Sequence, residues 1–166
     1  MNEYAKCPGC GLELPDKNLM PPDGYNASGE CYERYQQLSF FTLSQNYTEF
    51  IHQLIVDAYG AQHSGPTTKS IRTIFSLIGL CLVTENNFTG RQVQKVHSII
   101  PKQQWQKLTA PTVPVTFTVA DVLNSGSDEE RIMAIKKWGR SEWERWEEYH
   151  EHVRKIIKGI SLNLFD

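Results

Sequence analysis

Cys7 and Cys10, with Pro8 and Gly9 between them and Gly11 after, form a C-P-G-C-G turn that lets two sulfurs face one point. Tetrahedral zinc takes four such ligands, at about 2.3 Å from sulfur and about 2.0 Å from nitrogen, so the pair is half a site. Cys31 follows 21 positions after Cys10, at the expected start of a helix, where the positive end of the helix dipole favours a thiolate. C-x2-C-x20-C is therefore a coherent set of three ligands. A redox pair would instead sit at a helix N-terminus after a strand, in a thioredoxin-like pattern, and Gly11 with Pro15 disfavours a helix there. Cys81 lies in the apolar run LIGLCLV and reads as a buried thiol acting as a small hydrophobe.

A fourth ligand must come from a histidine. His52 and His63 cannot share an ion, because eleven residues of continuous helix separate them by roughly 16 Å of rise. His150 and His152 project to different sides of one helix, and only His150 falls in its apolar stripe. His63 follows Gly60 and precedes Ser64-Gly65-Pro66, so a helix end there can steer its ring toward the cysteine turn. It is the preferred ligand, ahead of His150 and His97; the plainer role for a helix-end histidine is a favourable partner for the helix dipole.

Two functions remain open on this basis. With four protein ligands the zinc is structural, pinning a loop-rich N-terminus to helices, and the protein acts as a binding or regulatory module with a protein partner. With three, a metal-bound water serves a hydrolase, Asp57 being the best general base and His150 a weaker catalytic candidate. Asp57 reaches the metal only if the helix loosens between it and His63. The spacings assemble no histidine triad of the kind that DinB-like four-helix bundles use for a metal.

These residues need elements to position them. The 166-residue chain carries a net charge of −2 and a composition ordinary for a soluble single domain, 1–166. The middle is mildly basic (Lys69, Arg72, Arg91, Lys95, Lys102, Lys107), but the chain is slightly acidic overall and lacks aromatic and basic residues interleaved near Cys7 to Cys31, which argues against nucleic acid. No apolar run is long enough to span a bilayer, and no export signal opens the chain, so a cytoplasmic location is expected. Residues 1–27, rich in Pro, Gly, Asp and Asn, read as loop and turn, ordered by the metal and packed on a helical bundle, 28–160.

Ser28 caps a first helix through Phe41. A second begins near Thr48, weakens at Gly60 and ends by Ser64-Gly65-Pro66. Thr67 or Thr68 caps a third, whose Ile71, Ile74, Phe75, Ile78 and Leu82 make the central stripe. Thr89 and Gln92 form a capping box for a fourth, which Pro101 limits. Pro114 to Val119 alternates as a strand does but has no evident partner. Ser127/Glu130 and Ser141/Glu144 read as capping boxes around a break at Gly139, and Trp143, Trp146, His150, Val153 and Ile157 share one face of the last helix. The fold class is mainly α, a bundle of about five or six helices with an irregular zinc-knuckle segment.

CPGCG, ECYERY, DAYGAQH and WGRSEWERWEEYHEHVR together resemble a family of small bacterial proteins known only as domain of unknown function 5946, over Cys7 to about Arg154. Its most specific element is Asp57, Tyr59 and the Gln62-His63 pair. The resemblance implies a helical, metal-binding domain without an established activity, and the same ligand set: Cys7, Cys10, Cys31 and His63. Where a proline is expected after the Gln-His pair, this chain has Ser64-Gly65-Pro66.

Overall fold

A computed structural model describes residues 3–45 and 49–160. Its first element corrects the expectation of loop alone. β1 (Tyr4–Lys6) and β2 (Glu13–Pro15) form an antiparallel hairpin in the register Tyr4 to Pro15, Ala5 to Leu14 and Lys6 to Glu13. The turn between them is closed by the Cys7 N–H donating to Leu12 O (2.8 Å) and the Gly11 N–H to Cys7 O (2.8 Å). Gly11 has φ +78°, a left-handed conformation that glycine adopts without steric cost. The hairpin therefore presents the cysteine turn rather than burying an alternating face.

Seven α-helices follow among the described residues: α1 (Gly29–Ser44), α2 (His52–Gln62), α3 (Ser70–Asn86), α4 (Gly90–Ile99), α5 (Val119–Leu123), α6 (Asp128–Arg145) and α7 (His150–Ile160). The fold is mainly α, as the apolar periodicities imply. α3 is central: it packs on α2, α4, α6 and α7, and Ile74, Ile78 and Leu82 are fully buried along it. Ile71, in the same expected stripe, is exposed. Among the described residues, no helix is long and apolar enough to cross a membrane.

Several boundaries obey local chemistry. Ser28 Oγ accepts from the Cys31 N–H (3.1 Å), capping α1, and Thr89 with Gln92 forms the reciprocal capping box of α4. Others do not. The expected start of α2 at Thr48 lies outside the described residues; α2 begins at His52 and runs unbroken through Gly60 to Gln62. Thr68 does not cap α3, whose N-cap is Lys69; its hydroxyl instead accepts from the Gly65 N–H (2.9 Å), closing the 65–68 turn.

Pro114 to Val119 is not a strand. Phe117 gives its carbonyl to the Gln62 side chain (2.9 Å), and Thr118 forms a capping box with Asp121 that opens α5. Gly139 is not a break either. α6 passes straight through it because Leu54 of α2 packs there: a Cβ on Gly139 would come within 2.8 Å of Leu54 Cδ1. The chain turns instead after Arg145, through a short 3-10 turn, Glu147–Tyr149, so Trp143 and Trp146 belong to the α6 end and His150 starts α7.

Candidate metal centre

The cysteine turn, the first turn of α1 and the C-terminal end of α2 converge. The ligand atoms of Cys7, Cys10, Cys31 and His63 all lie within 4.8 Å of one another, and all four residues are buried. Cys10 Sγ is 3.8 Å from Cys31 Sγ, and Cys31 Sγ is 3.6 Å from His63 Nε2. A tetrahedral ion with the usual bond lengths sets its ligands about 3.8 Å apart for two sulfurs and about 3.6 Å apart for sulfur and nitrogen. The cysteines are free thiols, so no disulfide competes for these sulfurs, and the cluster can hold a metal ion.

Two of the donors, His63 and Cys31, are oriented from behind. His63 Nδ1–H donates to the Tyr59 carbonyl one turn back (2.9 Å), which leaves the Nε2 lone pair for the cluster. Its ring stacks on Tyr59 at 3.8 Å, and Tyr59 stacks in turn on Tyr35 at 4.0 Å. The Tyr59 hydroxyl donates to Cys31 Sγ (3.4 Å). Gly9 lets the turn lie against this assembly, since a Cβ there would meet Asn26 O at 2.3 Å and His63 Cδ2 at 2.7 Å. The Asn26 N–H donates to His63 O (2.7 Å), tying the N-terminal segment to the end of α2.

Gln62, beside the histidine, is also fixed. It donates to Glu142 Oε2 (3.1 Å), whose other oxygen accepts from Trp146 Nε1 (3.2 Å) and from Arg145. Burial pushes the Glu142 carboxyl above the usual range in spite of Arg145.

The three thiols interact strongly with one another. Hydrogen bonds from Cys10 and then Cys31 hold Cys7 far below the ordinary thiol range. Cys31 is driven far above it, first by its hydrogen bond to Cys10, then by that to Cys7 and by burial. The thiols thus oppose one another's ionisation. A divalent cation at their centre permits all three, because it replaces sulfur–sulfur repulsion with attraction.

The other candidates lie elsewhere. Asp57 and His63 are six residues apart on a helix that does not loosen, which separates them by about 9 Å of rise and about 240° of rotation. Asp57 is buried against α3, its Oδ1 accepting from Gln53 Nε2 (3.1 Å). His150 stacks on Trp143 at 3.8 Å and donates through Nε2 to the Trp143 carbonyl (2.8 Å). His97 Nε2 donates to Phe75 O (2.9 Å), and Cys81 is buried in α3 outside the cluster.

Sequence reasoning overlooked Tyr59 as a partner of the ligands and Glu30 as an anchor. Tyr59 stands four residues before His63, the helical spacing that brings side chains into contact, and that signal was available. Glu30 accepts the backbone N–H groups of Lys17 (3.1 Å) and Leu19 (3.0 Å), fastening the loop that leads from the hairpin to α1.

Residues 5–147 match the model of a family of unknown function, DUF5946, and the chain belongs to that family. No curated protein and no solved structure matches the chain.

Proposed function

We propose that this DUF5946 member is a structural zinc protein, in which Cys7, Cys10, Cys31 and His63 close the coordination shell and the folded surface acts as a binding or regulatory module. The observation that carries the reading is the match between the 3.8 Å and 3.6 Å donor separations and those of a tetrahedral site made of three sulfurs and one nitrogen. Three thiolates and one imidazole suit zinc, and a shell of four protein ligands has no position for water. Sulfur donation also lowers the Lewis acidity that a hydrolase needs. Asp57, the base a hydrolase would use, is turned away along α2. Free thiols and a zinc shell both fit a reducing, cytoplasmic setting.

Metal analysis of protein purified without added metal tests this, with about one zinc per chain expected. Cobalt substitution is expected to give sulfur-to-metal charge transfer and the strong visible bands of a tetrahedral site. Protein that folds with no bound metal, or six-coordinate cobalt spectra, overturns the reading.

A further inference from the structure

Two of the three sulfurs in the cluster are already in contact. Cys10 Sγ and Cys31 Sγ are 3.8 Å apart, and neither is in a disulfide. They come from separate elements, Cys10 from the turn between β1 and β2 and Cys31 from the first turn of α1. A bond between them, at about 2.05 Å, requires an approach of roughly 1.8 Å. Cys10 is the partner placed to move. It lies in the hairpin turn between Gly9 and Gly11, and Gly11 holds a φ of +78°. Cys31 is fixed in a helix, its own N–H donating to the Ser28 cap.

The two sulfurs also differ in their access to solvent. Cys10 is 8% exposed, against 1% for Cys7 and 0% for Cys31, so a small oxidant meets the cluster first at Cys10. Cys31 lies behind it, its sulfur accepting from the Tyr59 hydroxyl (3.4 Å) and facing His63 Nε2. An outer thiol in contact with a buried one is the arrangement in which a first oxidation is captured as a disulfide before it proceeds to irreversible acids. Cys81, in α3, stands outside the cluster.

We propose that the cluster, holding zinc as argued above, is redox-sensitive: a hydroperoxide oxidises Cys10, and Cys31 captures it as a disulfide, which releases the metal. With zinc bound both sulfurs are thiolates, the form that attacks peroxide. Cys10 Sγ attacks one peroxide oxygen and the O–O bond breaks, giving a sulfenic acid on Cys10 and a hydroxide ion. Cys31 Sγ then attacks the Cys10 sulfur, the S–O bond breaks, and a second hydroxide leaves. The sulfur pair gives up two electrons, and the peroxide takes them to end as two hydroxide ions. The disulfide removes two of the four donors and leaves only Cys7 and His63, half of a tetrahedral shell. A dithiol, itself becoming a disulfide, returns both thiols and restores the site.

The test is an equimolar addition of hydrogen peroxide to the zinc-loaded full chain, with released zinc read by a chromogenic chelator and thiols mapped by peptide mass spectrometry. Expected are the loss of about one zinc per chain, a disulfide between Cys10 and Cys31 formed in step with it, and Cys7 and Cys81 left as thiols. Dithiothreitol with added zinc should restore the metal content, and Cys81→Ala should release zinc at the parent rate. Zinc retained once the peroxide is consumed, zinc lost without a disulfide, a disulfide that includes Cys7, or slower release from Cys81→Ala overturns the proposal. Zinc content measured before the oxidant is added reports on the metal reading separately.

Discussion

Two stretches of α2 are built on opposite principles. At its C-terminal end, around His63, the His63 ring and the Cys31 sulfur have orienting partners, and Cys10, Cys31 and His63 face one another at the separations an ion requires. Less than two turns back, around Asp57, the helix buries a carboxylate with one oxygen unpartnered and, on α3, the Arg72 nitrogen Nη1 stands in the same state. The first arrangement is complete with an ion and no other molecule. The second leaves both groups without a hydrogen-bond partner among the described residues. One helix can thus carry a converging set of donors at its end and a partly unpartnered carboxylate further back, because a continuous helix fixes which side chains share a face.

The sharpest way to break that comparison is to remove the ion. Structural zinc supplies about 10–16 kcal/mol of apparent binding free energy in small zinc domains, comparable with the total stability of a domain. Chelation, or Cys31→Ser, is expected to lower Tm by more than about 10 °C and to expose residues 3–27 to proteolysis, read by circular dichroism and limited digestion. Unchanged Tm after chelation means that the His63 end is not closed by metal. Tyr59→Phe is gentler. It keeps both ring stacks and removes the hydroxyl that donates to Cys31 Sγ, so zinc affinity in a competition titration should fall about tenfold while the fold persists.

Asp57→Asn tests the other stretch, and its predicted sign is the reverse. Burial raises the Asp57 carboxyl well above its ordinary value, with the Gln53 hydrogen bond opposing. A folded-state value above the unfolded one means that the native state holds its proton more tightly. Stability from this group is full below the unfolded value of about 3.9 and declines as pH rises toward the folded one. The neutral amide removes that decline. At pH 7 the variant should melt about 2–4 °C higher than the parent, with the two converging below pH ~4. A destabilised variant at pH 7 would show that the Asp57 carboxylate supports the fold rather than burdening it.

The cysteine and histidine set was legible because turn geometry and ligand chemistry are local, and so were the Ser28 cap and the Thr89–Gln92 box. The failures share a cause in contacts distant in sequence. Ser141 and Glu144 have the form of a capping box, yet they stand inside α6 because Leu54 packs at Gly139 and draws the helix onward. Pro114 to Val119 has the composition of a strand, but Gln62, 55 residues away from Phe117, takes the backbone bond a neighbouring strand would take. The hairpin was not legible because its backbone closes around the cysteine turn, leaving no alternating stripe to read. Asp57 is a workable base for the metal only if α2 loosens, since 240° of rotation puts it on another face once the helix is continuous.

The smallest effect belongs to Glu30, which holds the loop behind the cysteine turn. Its carboxylate accepts the Leu19 and Lys17 backbone N–H groups, and those bonds, Leu19 first, hold its carboxyl below the usual range. A folded-state value below the unfolded one places the contribution above about pH 4.3 and removes it as pH falls through the folded value. Glu30→Gln keeps an acceptor oxygen but loses the charge, so Tm at pH 7 should drop by about 1–3 °C, a gap that closes on acidification. Asp57→Asn and Glu30→Gln thus both diverge from the parent as pH rises, one upward and one downward. Measured on the protein across that range, the pair separates a carboxylate that the fold has satisfied from one it has left partly unpaired; curves of the same sign would show that the two regions of the molecule do not differ in this respect.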